Sequence, residues 1–192
     1  YYAAQSLAYP PDTHWAYVSG ATNMLSRIVR RTVGEAAYAT FPRRELFDKI
    51  NMRSAVMEMD PSGTYVGSSF MWATARDWAR FGLLFCQDGV WEGERLLPEG
   101  WVEYSRTPTP TRENNGYGAQ WWLPTDNERA RMEARGTPLP DDLMEASGFE
   151  GQKIGVSPSH RLVVVRLGRT LDQRQWRQDE FVADIVQELP PK

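Results

Sequence analysis

The chain holds one cysteine, two histidines and three lysines in 192 residues, and each scarcity excludes some chemistry. A lone Cys86 cannot form an internal disulfide, which leaves the redox compartment open. Among Phe81, Leu84 and Phe85 it reads as a small core hydrophobe, not a nucleophile. His14 and His160 have no cysteine or carboxylate partner at ligand spacing, so no metal site and no cofactor is expected. No apolar run approaches the roughly 20 residues of a membrane span. No signal-peptide pattern begins at Tyr1, which says nothing of secretion if residues precede it. A net charge of -3 gives no electrostatic case for nucleic acid or an anionic membrane. Gly-x-Ser-x-Gly is also absent, which argues against the nucleophile elbow of an α/β-hydrolase.

What is present fits one domain long enough to bury a core. Eight tryptophans suggest a large aromatic core or an aromatic-walled cleft. Tyr1 to Ala8 could end a helix, stopped by Pro10-Pro11, with an extended Trp15-Ala16-Tyr17 after the turn. From Ala21, Met24, Leu25, Ile28, Val29 and Val33 recur at helical spacing, with Gly34 as C-cap. A short helix over 43–50 and a short strand over 54–59 follow. The most regular helix runs over 74–85, capped by Thr74 ahead of Asp77 and burying Trp78, Phe81, Leu84 and Phe85. Residues 90–97 read as a tight hairpin and 98–105 as a helix. Residues 107–116 and 124–141 are proline- and charge-rich loops. Strands are expected over 118–123, 143–149, 152–157 and 162–167, the last two joined by Pro158-Ser159-His160-Arg161. A helix over 175–189 closes the chain. Helices first and an antiparallel meander later make an α+β protein.

Several segments, in order, carry a resemblance. Tyr17-Val18-Ser19-Gly20-Ala21-Thr22-Asn23 and Ala146-Ser147-Gly148-Phe149-Glu150-Gly151-Gln152 resemble the second and third motifs of the penicillin-recognising, β-lactamase-like serine hydrolases. Leu46-Phe47-Asp48-Lys49-Ile50-Asn51-Met52 is similar to a further segment of that superfamily. Ala73-Thr74-Ala75-Arg76-Asp77-Trp78-Ala79-Arg80-Phe81-Gly82 resembles a helix shared by β-lactamase-like esterases and nylon-oligomer (aminohexanoate-dimer) hydrolases. Tyr117 to Trp122 and Leu162 to Gly168 are similar to it as well. The resemblance implies a partial β-lactamase/transpeptidase-like fold, with the C-terminal helix packed on the sheet. It also implies that residues 1–192 are the C-terminal portion of a single β-lactamase-like domain.

The first motif of the superfamily, Ser-x-x-Lys, is missing. Leu46, Glu150 and Leu189 stand three residues before Lys49, Lys153 and Lys192. Either the chain is part of a longer enzyme or it is a relative that has lost its chemistry. In the first case the resemblance makes Tyr17 catalytic, its hydroxyl relaying a proton beside a serine and a lysine. A phenol with a pKa of about 10 needs a neighbouring cation to do so at neutral pH. Ser19 would hydrogen-bond substrate or the lysine. Ser147, Gly148, Phe149, Glu150 and Gly151 would line substrate, with the Phe149 N–H as one oxyanion-hole donor and the glycines allowing close backbone approach. Trp121 and Trp122 alternate on a strand, so that one enters the core and the other, assigned as Trp121, walls the cleft; core packing of both is the alternative. Lys153 lies on the wrong side of Gly151 to replace the motif lysine. Ala146 in that lysine's place removes the cation that recognises a β-lactam carboxylate, which favours an ester or small amide as substrate. The other reading is a non-catalytic relative that uses a Tyr17–Phe149 cleft to bind a ligand or protein partner. Strand edges without sheet neighbours make a homodimer a further expectation.

Overall fold

A computed structural model describes residues 4–112, 115–172 and 175–190. The chain falls into two compact units, residues 1–77 and 78–192.

In the first unit an extended segment leads into α1 (Ser19–Val33), which ends where Gly34 adopts φ +86° and returns its N–H to the Arg30 carbonyl. A left-handed residue is needed to turn the chain off a helix, and glycine takes that conformation without a Cβ clash. α2 (Glu35–Tyr38) and a wide turn over Arg43–Phe47 follow. The core of this unit gathers Tyr38, Phe47, Ile50, Met52 and Ala55, all buried. β1 (Val56–Met57) pairs antiparallel with β2 (Met71–Trp72). Asp77, buried near the start of α3 (Ala75–Cys86), accepts the Ser54 N–H at 2.7 Å and the Ser54 hydroxyl at 2.5 Å. The Thr74 hydroxyl in turn accepts the Asp77 N–H at 3.3 Å, so the expected cap forms. Of the described residues 4–8 only Ala4 is helical, in a 3-10 turn, so the expected helix does not reach Ala8; residues 1–3 lie outside the description. Pro10, Pro11 and a left-handed Asp12 (φ 60°) follow directly and stop any helix from continuing.

In the second unit, β3 (Val90–Trp91) and β4 (Glu94–Arg95) form the tight hairpin, and α4 is Trp101–Arg106. β5 (Met144–Ser147), β6 (Lys153–Ser157) and β7 (Leu162–Arg166) make an antiparallel sheet in the order β5-β6-β7. Alternation divides its side chains between two faces. Met144, Ile154, Val156, Val163 and Val165 meet Phe85 and Phe81 of α3 on one face. Leu162 and Val164 meet Val182 and Ala183 of α6 (Gln178–Glu188) on the other, where Met132, Leu139 and Leu143 complete the cluster. The C-terminal helix is thus packed on the sheet. Gly82 sets the helix-to-sheet spacing on the first face: a Cβ there would stand 2.6 Å from Val163 Cγ1.

Two segments differ from the sequence expectation. Residues 124–141 are not all loop, since α5 (Asp126–Ala134) forms behind a reciprocal cap in which Thr125 and Glu128 exchange hydrogen bonds. Residues 118–123 do not form a strand. The Gly118 N–H bonds to the Trp121 carbonyl and Gln120 takes φ 65°, a tight turn whose outer residues, Tyr117 and Trp122, face each other. Ser105 O would lie 2.1 Å from a Cβ on Gly118, so that turn needs glycine for its approach to α4.

Candidate active site

The residues singled out from the sequence divide between the two units. In the first, Tyr17 ends the extended approach to α1 and is 60% exposed, with its ring 6.4 Å from that of Trp15. Val18 holds the extended cap position (φ -136°, ψ 129°), so Ser19, also exposed, opens the helix and Gly20 is its buried residue. Farther along α1, Met24, Leu25, Ile28 and Val29 are exposed apolar side chains.

In the second unit the third-motif residues run off the end of β5. Ser147 closes the strand, facing Lys153 across the ladder. The chain then makes one tight turn over Phe149–Gly151. The Gly148 N–H donates to Gln152 O at 2.8 Å and the Gly151 N–H to Gly148 O at 3.3 Å. Glu150 (φ 55°, ψ 30°) and Gly151 (φ 86°) are both left-handed. That conformation costs a non-glycine residue about 1 kcal/mol and persists where surroundings over-determine it. Here Glu150 O accepts the Thr170 N–H at 2.8 Å, and its carboxylate pairs with Arg169 at 3.3 Å. The turn pushes the Phe149 side chain out to 85% exposure.

Three groups behind Ser147 were not legible as a set. Lys153 Nζ donates to Ser147 Oγ at 2.6 Å and lies 4.0 Å from Glu145 Oε2. A hydroxyl that accepts from an ammonium keeps its own proton free to donate elsewhere. Burial pushes the Glu145 carboxyl up to about 7, against the pull of Lys153 and with a small contribution from Asp179 and Glu128. Its Oε1 has no hydrogen-bond partner among the described residues, nor has the Nε2 of buried Gln178. The register that aligns Glu145 with Gly155 and Ser147 with Lys153 would have found this set, and register is not readable from one strand alone.

Trp121 is placed in the core, not on an open wall. It is 4% exposed, stacked 6.1 Å from Phe81 and tilted against Phe85 at 4.8 Å. The tight turn at 118–121, which replaces the expected strand, sends it there. Trp122 packs edge-on to Tyr117, with the Arg112 guanidinium over its ring. Cys86 is half-buried against the same core, and burial raises its thiol pKa, the opposite of an activated nucleophile. His160 sits in the β6–β7 hairpin, its Nδ1 2.9 Å from both Ser157 Oγ and Ser159 Oγ, while both hydroxyls donate to Asp142. A relay triad needs the imidazole between hydroxyl and carboxylate; here the hydroxyls lie between, which makes the cluster a clasp of the hairpin. No group of three or more metal-ligating side chains occurs among the described residues. Nor is any helix among them long and apolar enough to cross a membrane.

Helices around an antiparallel sheet, with a glycine-bracketed turn off the first strand of that sheet, make a β-lactamase-like fold. The chain belongs to the β-lactamase family, whose profile matches residues 1–187. A curated 6-aminohexanoate-dimer hydrolase of Paenarthrobacter ureafaciens is 29% identical over 189 residues, covering 90% of this chain and 45% of that protein. A solved structure provisionally described as a 6-aminohexanoate-dimer hydrolase of Bacillus anthracis superposes with a TM-score of 0.74 at 24% identity, over 97% of this chain and 48% of that one. A provisionally described β-lactamase of Bacteroides dorei gives 0.63 at 11% identity, over 96% of this chain and 60% of that one. The chain spans about half the length of the curated relative it matches.

Proposed function

We propose that the chain is the C-terminal portion of a single β-lactamase-like domain in a serine hydrolase that cleaves esters or amides through an acyl-enzyme. The observation that carries this reading is the fastened turn after β5. With the Gly148 and Gly151 amides engaged within the turn, the Phe149 N–H is left to serve an incoming oxygen. A fixed donor aimed at the oxygen of a tetrahedral intermediate contributes on the order of 3 kcal/mol. In this reading Tyr17 relays the proton of the attacking serine, Ser19 hydrogen-bonds substrate or the lysine, and the serine and lysine are supplied by residues outside the 192. Ser147 donates to the substrate and Glu150 flanks it, while Gly148 and Gly151 shape the turn, the room for a Cβ on either being taken by Gln152 and Thr170. Ala146, in place of a cation, favours a short-chain ester or an amide oligomer over a β-lactam. The named hydrolase of Paenarthrobacter ureafaciens supports the amide-oligomer version.

The second reading, a non-catalytic relative that binds a ligand or partner, is favoured by the lack of any Ser-x-x-Lys in the 192 residues. One experiment separates the two: the whole protein encoded by the gene is assayed against a chromogenic short-chain ester and a linear amide dimer. Turnover together with an upstream Ser-x-x-Lys supports the hydrolase. A start codon at Tyr1 with no turnover leaves the binding reading.

A further inference from the structure

The β5–β6 turn is held by a side chain from the neighbouring part of the sheet, to which the sequence alone assigned no role. Arg166, the last residue of β7, donates from Nη1 to Gly151 O at 2.7 Å and to Gly168 O at 3.1 Å, and from Nη2 to Thr170 Oγ1 at 2.5 Å. Its guanidinium carbon lies 4.7 Å from the centre of the Trp176 ring. Trp176 in turn packs tilted at 5.2 Å against Phe181 of α6 and donates to Gln178 Oε1 at 3.0 Å. These partners are all neutral, so Arg166 acts as a rigid fork between carbonyls, a task lysine cannot copy. The Gln152 side chain adds a second fastening, exchanging two hydrogen bonds of 2.9 Å with the backbone of Gly168. Thr170 closes the circuit, because its N–H bonds Glu150 O while its hydroxyl receives Arg166.

The consequence follows from the strain in the turn. Two consecutive left-handed residues, one of them Glu150, do not hold their geometry alone. The carbonyls of both are pinned, Glu150 O by Thr170 and Gly151 O by Arg166. A Cβ on Gly151 would come within 3.0 Å of Thr170 Cβ and 3.3 Å of Arg166 Nη1, so the clamp is closed with no slack. The Phe149 N–H shares its peptide plane with the Gly148 carbonyl, and that carbonyl accepts the N–H of the pinned Gly151 at 3.3 Å.

We propose that Arg166 is a positioning residue for the oxyanion donor: with Thr170 and Trp176 it clamps the turn at 148–151 and aims the Phe149 N–H. The inference rests on the hydrolase reading, in which that N–H meets the substrate oxygen. Misplacement of a catalytic donor by about 1 Å costs on the order of 100-fold in rate.

The test uses the whole protein and three variants, Arg166→Ala, Arg166→Lys and Thr170→Val, at a temperature where each is folded. Two quantities are read: hydrogen exchange of the peptide spanning 147–152, and kcat and KM on a chromogenic short-chain ester. Arg166→Ala should speed exchange in that peptide and lower kcat roughly 10- to 100-fold, with KM changed less than about threefold. Ethylguanidinium at non-denaturing concentration should restore part of kcat, whereas Arg166→Lys should not restore it. Thr170→Val, which removes only the acceptor of Nη2, should shift both quantities in the same direction by less, and serves if Arg166→Ala does not fold. Unchanged exchange at 147–152 overturns the clamp whatever happens to turnover. Faster exchange with wild-type kcat overturns instead the assignment of Phe149 as donor, and the positioning role with it.

Discussion

Replacing Glu145 by glutamine should remove a pH-dependent loss of stability. The Glu145 side chain is 15% exposed, one of its oxygens has no hydrogen-bond partner among the described residues, and the Lys153 ammonium stands 4.0 Å from the other. Burial raises its pKa from 4.5 to about 7, the attraction of Lys153 offsetting part of that rise. The folded carboxyl therefore holds its proton to higher pH than the unfolded one. Stability is full below about pH 4.5, falls as pH rises toward 7, and is level above. At about 1.36 kcal/mol per pH unit, the fall amounts to about 3 kcal/mol. Glutamine cannot ionise and keeps the shape. In urea unfolding from pH 4.5 to 8.5, the variant should gain about 3 kcal/mol on the wild type as pH rises. Asp142 does not confuse the comparison. Burial raises its pKa, but hydrogen bonds from Ser157 and Ser159 outweigh that and hold it below the usual value, so its effect appears as pH falls through the acid range in both proteins. A difference between wild type and Glu145→Gln that is constant across the range would refute the reasoning.

Three further outcomes are expected. Gly82→Ala gains helix propensity of about 1 kcal/mol but drives a methyl to 2.6 Å from Val163 Cγ1. Overpacking of about 1–3 kcal/mol should win, giving a lower urea midpoint; a midpoint at or above wild type would contradict the packing argument. Residues 1–192 alone should hydrolyse no short-chain ester, since neither a Ser-x-x-Lys serine nor its lysine is among them, and measurable turnover assigned to this chain would overturn the division of roles. The same chain should self-associate through exposed apolar side chains such as Met24, Leu25 and Ile28, so light scattering should report a mass above 22.0 kDa that falls on dilution; a concentration-independent monomer would count against it.

Much of this architecture was legible because local and tertiary preferences agree. The apolar spacing from Met24 to Val33 and the following Gly34 mark α1 and its end, and Thr74 with Asp77 marks the start of α3. The β6–β7 hairpin shows in the alternation of its strands and in Pro158. α5 was hidden because only Met132 of its residues is buried, so its apolar pattern is weak, although Thr125 and Glu128 spell its cap. The two adjacent tryptophans suggested a strand, but Gly118 and the left-handed Gln120 fold that segment into a turn, which sent Trp121 to the core. At the candidate site, the glycines around Phe149 were legible as a motif. The Ser147–Lys153–Glu145 set and the Arg166 clamp were not, since both depend on partners brought together by strand register and by the return of the chain at 168–176.

An acyl-enzyme whose formation depends on Tyr17 lies at the centre of the proposed chemistry. Rapid-quench mass spectrometry of the whole protein with a chromogenic short-chain ester tests it most directly. A covalent acyl adduct should form on a serine followed three residues later by lysine, its formation slowed about 100-fold or more in Tyr17→Phe while folding is retained, as loss of a general acid–base group implies. Turnover without any serine adduct, or an adduct forming at the wild-type rate in Tyr17→Phe, would contradict it.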